Sequence, residues 1–155
     1  MGKNNKPKVS SKPINPISTL KINGNQQLVL AYNYLDINSK KYSMDTITNN
    51  KDAIYHYKNF YEKLKEYCEK DNFKKYIAVH KDYSKKNHIH PIDWNDSQIR
   101  ESSFTCLSED LMRQIKGECW QLGIDNQGFR IHGFFIENVF YIVWLDPDHL
   151  LYKRK

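Results

Sequence analysis

The last third of the chain, Phe129-Arg-Ile-His-Gly-Phe-Phe-Ile-Glu-Asn-Val-Phe-Tyr-Ile-Val-Trp-Leu-Asp-Pro-Asp-His-Leu-Leu-Tyr152, constrains the fold most. Two apolar runs flank the polar pair Glu137-Asn138, which predicts an antiparallel hairpin with strands over about 129–136 and 139–146. A two-residue turn sets Phe135 opposite Phe140, His132 opposite Val143 and Arg130 opposite Leu145. Alternation along the strand then places Arg130, His132 and Phe134 on one face. Phe129, Ile131, Gly133 and Phe135 take the other face, joined by Ile142 and Trp144. That second row is apolar and suited to packing on helices. The first is headed by two basic groups, which need partners within the fold or an anionic ligand outside it.

Upstream, Ile54, Tyr57, Phe60 or Tyr61, Leu64, and Tyr67 or Cys68 recur at helical spacing, predicting a helix over about 51–69 capped by Asn49 or Asn50. Phe73 to Tyr83 fits either a short helix or a strand. His88-Ile-His-Pro-Ile-Asp-Trp94 reads as extended, because proline disfavours helix for the residue before it. Ser108 with Glu109 and Asp110 marks a helix start, Lys116-Gly117 its end, and Cys119 to Ile124 a strand. Asp125-Asn-Gln-Gly128 is turn chemistry leading into the C-terminal hairpin. Near the N-terminus, Leu20-Lys-Ile22, the turn Asn23-Gly-Asn25 and Leu28 to Leu35 read as another hairpin with a longer second strand. Together these elements predict an α+β fold, a mostly antiparallel sheet with helices packed on one face.

A chain of 155 residues is long enough for one buried core. The formal charge is +6, of which four units are Lys3, Lys6, Lys8 and Lys12 within 1–18, a stretch with no acid and much Pro, Asn and Ser. We read 1–18 as a disordered basic tail and 19–155 as a single domain. No apolar run approaches the roughly 20 residues of a membrane helix, and no secretory signal is evident, so a cytoplasmic location is expected. Cys68, Cys106 and Cys119 form no CxxC pair, which suggests neither a disulfide framework nor a cysteine zinc site. A phosphate-cradling glycine loop, a GxSxG elbow and a dinucleotide fingerprint are also missing, which removes the nucleotide-hydrolase and oxidoreductase classes.

A helix followed by a meander with aromatic-Arg-Ile, an apolar strand, and then a His and a Tyr resembles the RelE/ParE superfamily of ribosome-directed toxins, and in particular its YoeB-like ribonucleases. The resemblance covers residues 104–152 and is carried by Phe129-Arg130-Ile131 and His149-Leu-Leu-Tyr152. It implies a RelE-like C-terminal meander and cleavage of messenger RNA without a metal. RNA or the ribosome would be the partner, and a cognate antitoxin protein would accompany it. Arg130 matches the strand arginine, and His149 and Tyr152 match the C-terminal pair. Two leucines separate His149 from Tyr152, whereas YoeB-like enzymes have them adjacent, and the chain is longer than a minimal member.

Cutting RNA with its own 2′-hydroxyl needs a base, an acid and a cation for the charge that builds on phosphate. Arg130 suits the cation, His149 the proton carrier, and Tyr152 a hydrogen-bond donor or stacking ring, with His132 beside Arg130 as a further candidate. Lys153, Arg154 and Lys155, with His88 and His90, are candidates for nucleic-acid binding. Each has a structural alternative: Arg130 can pair with Asp146, His149 can cap the turn after Pro147, and Tyr152 can close the core. His88, His90 and Asp93 also have the types of a two-histidine, one-carboxylate metal set. No further ligand pattern surrounds them, so no metal or cofactor is expected. Three function classes remain: a metal-independent RNA endonuclease, a non-catalytic nucleic-acid binder, and a small protein that inhibits or adapts another. Convergent histidine and arginine, a basic aromatic face, or an apolar patch would favour each in turn.

Overall fold

The computed structural model describes residues 27–45 and 53–153. The elements are β1 (Val29–Ala31), α1 (Ala53–Cys68), α2 (Phe73–Val79), α3 (Lys81–Lys86), β2 (His90–Pro91), α4 (Glu109–Ile115), a 3-10 turn (Lys116–Glu118), β3 (Cys119–Gly123), β4 (Arg130–Ile136) and β5 (Val139–Asp146). They form an α+β fold around one five-stranded sheet of order β1-β5-β4-β3-β2. The pairings β2–β3, β3–β4 and β4–β5 are antiparallel, and β1 runs parallel to β5. The C-terminal meander is therefore present as the apolar runs predicted. Of the expected N-terminal hairpin only the second strand is described, and it pairs with β5. The hairpin's first strand and its Asn23-Gly-Asn25 turn lie outside the described residues, as do the tail over 1–18 and the Asn49 or Asn50 cap. The second strand has shortened to Val29–Ala31.

Period-two alternation divides the core in two. Phe129, Ile131, Phe135, Phe140, Ile142 and Leu145 face a layer that contains Phe60, Leu64 and Tyr67 of α1 with Phe73 and Ile77 of α2. On the opposite face Phe134, Val143 and Trp144 pack with Tyr42, Ile92, Phe104, Leu151 and Ile115 of α4. The three helices α1–α3 share one face, as the apolar row predicted, and the short α4 is added on the other. Each large apolar side chain taken out of water contributes roughly 1.5–3 kcal/mol, so the four buried phenylalanines of β4, β5 and their lead-in bind the two layers together.

Local chemistry explains the helix boundaries. The side chain of Ser108 accepts from the backbone N–H of Leu111 and starts α4. Asn72 accepts from Lys75 N–H and starts α2, and the segment over 73–83 resolves into two short helices broken at His80. On α1 the buried stripe is His56, Phe60, Leu64 and Tyr67, whereas Ile54 is 85% exposed. An imidazole thus replaces an isoleucine in the core row, because Asp125 waits on the sheet side to receive it.

The largest departure is in the C-terminal register. Phe135 does face Phe140, but a β-bulge between His132 and Gly133 makes Val143 an extra residue on β5. His132 consequently faces Trp144 rather than Val143, and Arg130 faces Asp146 rather than Leu145. Trp144 moves to the second face with Val143, where it stacks on Tyr42 at a centroid distance of 4.4 Å. The bulge is held from outside the sheet, since the carbonyl of Val143 accepts from Asp36 N–H at 2.9 Å.

Candidate functional site

The bulge assembles polar groups at one end of the sheet. Gly123, Arg130 and Asp146 are neighbours across β3, β4 and β5, and one step inward His90, Gln121 and His132 are neighbours across β2, β3 and β4. Residues directly opposite in antiparallel strands project to the same face, so both rows share the second face. Loops bring His88 ahead of β2 and His149 beyond β5 to the same end. Four of the chain's six histidines therefore gather around Arg130.

Asp146 is the hub. It is fully buried, its Oδ2 lies 3.0 Å from His132 Nε2, and its carboxylate accepts from the N–H groups of Leu150 and Leu151 at 2.7 and 2.9 Å. Burial works to raise its pKa, but the hydrogen bond and charge of His132, with the two backbone N–H groups, hold it below the usual carboxylate range. An ionised carboxylate only accepts, so Nε2 of His132 carries the proton in that contact. The other ring nitrogen, Nδ1, is buried without a hydrogen-bond partner. The same carboxylate shapes the turn after Pro147, from which His149 projects.

Arg130 is 4% exposed and is held through Nη1, which donates to the carbonyls of Asp125 at 2.7 Å and Phe129 at 2.8 Å. Its Nε has no partner, and it forms no ion pair with a carboxylate among the described residues. The pairing with Asp146 that the sequence leaves open is not made, because Asp146 is occupied by His132 and the turn. A guanidinium in this position stays cationic at neutral pH and projects positive potential into the cluster.

The histidines respond to that field. Burial first, then Arg130, pushes His149 down to about 4. His88 is lowered by burial, Arg130 and His90. Burial also lowers His90, with His132 and Arg130 outweighing the backbone bond to Pro91. Its tautomer follows from its partners: Nε2 lies 3.0 Å from the donating amide of Gln121, and Nδ1 lies 2.9 Å from the Pro91 carbonyl. His90 is thus neutral with its proton on Nδ1. Tyr152 sits between His90 and His149, with ring centroids 5.6 and 5.8 Å away, and burial, with Asp96 and Asp93 adding to it, raises its phenol and keeps it protonated.

Access separates the roles. His88 is exposed and His90, His149 and Tyr152 are half-buried, while Arg130 and His132 lie behind them. His88 and His149 have φ angles of 52° and 55°, a left-handed backbone that is uncommon outside glycine and clusters at functional sites. Two close approaches keep them in place. A Cβ on Gly123 would lie 2.2 Å from the Asn87 carbonyl oxygen, so the loop carrying His88 presses on the end of β3. A Cβ on Gly128 would lie 3.4 Å from His149 Cβ, which sets that histidine beside the turn leading into Arg130.

Of the residues singled out from sequence, Arg130, His132, His149, Tyr152, His88 and His90 come together. Lys153 does not join them, since it is exposed and its ammonium donates to the Ser97 carbonyl at 2.6 Å. Arg154 and Lys155 lie outside the described residues. Among the described residues no group of three or more His, Cys, Asp or Glu has metal-holding geometry. Sequence reasoning missed Asp146 as the partner of His132, Gln121 as the link to His90, and His56 with Asp125. His56 Nδ1 lies 2.9 Å from Asp125 Oδ2, both side chains are buried, and Asp125 Oδ1 accepts from Gln127 N–H and Phe129 N–H. That pair fixes the loop whose carbonyls hold Arg130. Its one sequence signal was the four-residue spacing of His56, Phe60 and Leu64.

A family model described as Uncharacterised protein UU032 matches residues 30–155. No curated protein and no solved structure matches the chain.

Proposed function

We propose, for a chain that belongs to the family described as Uncharacterised protein UU032, that the Arg130 and histidine cluster binds an RNA phosphate and cleaves the strand there without a metal. The observation that carries this is the buried guanidinium with no carboxylate ion pair, beside the imidazoles of His149 and His88, whose pKa values burial and its charge together lower. The carboxylates nearest the guanidinium are already taken up, Asp125 by His56 and Asp146 by His132 and the turn, so the cluster sets unprotonated bases beside a cation that has no anion of its own. A phosphodiester supplies that anion. Its charge raises the affinity of the nearby imidazoles for protons, so binding itself readies them for transfer.

In the proposed reaction His149 takes the proton from the 2′-hydroxyl, the 2′-oxygen attacks phosphorus, and the bond to the 5′-oxygen breaks. The leaving oxygen takes a proton from His88, protonated once phosphate is bound, while Tyr152 donates a hydrogen bond to the phosphate. The products are a 2′,3′-cyclic phosphate and a 5′-hydroxyl. Arg130 acts through its field from behind, and Asp146 and His132 hold the turn that presents His149. This is a toxin-type activity of the kind the RelE/ParE resemblance implies. The same reading places it in the cytoplasm, with RNA or the ribosome as partner and a cognate antitoxin as its restraint. No described helix is long and apolar enough to cross a membrane.

Induced expression of the intact protein should arrest growth and yield cyclic-phosphate ends, whereas Arg130→Ala and His149→Ala, each checked for folding, should do neither. Full toxicity in both variants sinks the assignment. Non-catalytic nucleic-acid binding is the second reading, favoured by a basic groove beside the cluster, and is separated by the absence of cut product.

A further inference from the structure

Next to the histidine cluster, α3 and the β2–β3 edge enclose a groove of about 470 Å³. Lys81 and Lys85 supply its ammonium groups, Trp120 and Pro91 its flat apolar surface, and His88 and His90 join it to the cluster. Among the described residues no acidic one lines it. Pro91 and Trp120 are cross-strand partners, so the two surfaces stand side by side at the sheet edge. Trp120 is braced by an edge-on contact with Phe135 at 5.9 Å.

On the strength of the RNA-cleaving reading above, we propose that this groove is a nucleotide subsite. It seats one nucleobase of a single-stranded RNA against Trp120 and Pro91 and the adjoining phosphate between Lys81 and Lys85, one step along the strand from the phosphate at His88 and His149. A groove of this volume falls in the range of small-ligand sites, roughly 300–1,000 Å³. Two lysines with no acid beside them favour an anion over an apolar ligand. An indole face accepts any base by stacking, provided that the base is not already stacked and paired, which selects single strands over duplex. Trp120 and the His90 imidazole lie on opposite faces of the sheet, and β2 is its edge strand, so a strand seated in the groove reaches the cluster by rounding that edge past His88.

The test uses the full chain and a 2′-O-methyl RNA hexamer, which lacks the attacking hydroxyl and so reports binding alone. Trp94 and Trp144 pack in the opposite core layer, so quenching by the hexamer should come from Trp120 and vanish in Trp120→Phe, which keeps an aromatic ring against Phe135. Lys81 and Lys85 are exposed, and Lys81→Ala/Lys85→Ala should fold normally, bind about 10-fold more weakly, and show a salt dependence shallower by about 0.7 in log-log slope, the value for one lost phosphate contact on a single strand. Equal affinity and equal salt slope in the intact and double-lysine proteins overturn the subsite, and leave the cleavage reading standing if unmethylated RNA is still cut. Groove-dependent binding with no cutting of unmethylated RNA supports the subsite and overturns the cleavage reading. Tighter binding to a duplex of the same sequence also overturns it.

Discussion

Asp146→Ala tests whether one carboxylate organises the open end of the sheet. It removes three hydrogen bonds, from His132 Nε2, Leu150 N–H and Leu151 N–H. His132 and Leu151 are fully buried, so no water replaces the lost acceptor for two of the donors, while Leu150 is partly exposed. A buried donor left without a partner costs about 1–3 kcal/mol, which gives a loss of about 3–5 kcal/mol for the set. Against a total of about 5–15 kcal/mol for a domain, that is a large share. At about 2–4 °C per kcal/mol for a chain of this size, the melting temperature should fall by at least about 6 °C. Urea unfolding at pH 7, followed by far-UV circular dichroism, measures the difference directly. Its pH arm has a defined sign. The folded pKa of Asp146 is depressed, so its contribution is present above the unfolded value, about 3.9, and is lost as pH falls through the folded one. Intact and variant curves should therefore converge in acid. A loss below about 1 kcal/mol at pH 7 refutes the hub role, because it means that the three donors find other partners or water.

Two further outcomes follow from the geometry. His149, followed by its ring proton resonances, should stay neutral until about pH 4, and Arg130→Gln should move its midpoint upward; a midpoint near 6.5 in the intact protein contradicts the burial and field assigned to it. Because its folded pKa is depressed, its stabilising contribution is full above about 6.5 and declines as pH falls toward about 4. Gly133→Ala should destabilise by about 3 kcal/mol or more, since the added Cβ would lie 2.1 Å from the Tyr141 carbonyl oxygen, while Gly117→Ala, with nothing within 4 Å, serves as a control that should be near neutral in urea unfolding.

The parts of the fold legible in sequence are those governed by local period and capping. The β3–β5 strands, the Ser108 cap and the face shared by Arg130 and His132 came from alternation and short-range hydrogen bonding, which act within a few residues. The bulge did not, because inserting Val143 into one strand costs little locally and is held by Asp36, more than 100 positions away in the chain. That one insertion decides whether Asp146 or Leu145 lies opposite Arg130, and so whether a carboxylate reaches His132. His56 was hidden for a related reason. At helical spacing an isoleucine looks like the better core residue, and only the tertiary meeting with Asp125, 69 positions on, makes the imidazole acceptable there. The convergence of His88 and His90 with His149 depends on strand order, which no local pattern encodes.

The left-handed backbones of His88 and His149 put stability and chemistry in opposition at two positions. Glycine adopts that conformation without penalty and asparagine with little, whereas β-branched side chains are all but barred from it. A chain shaped for robustness alone would settle on glycine there, relieving the backbone strain and losing both imidazoles. Drift at these positions thus has a short menu, and each step along it trades a proton-carrying ring for a relaxed turn. Thermostable variants picked without an activity screen would be expected to fail at these two sites first.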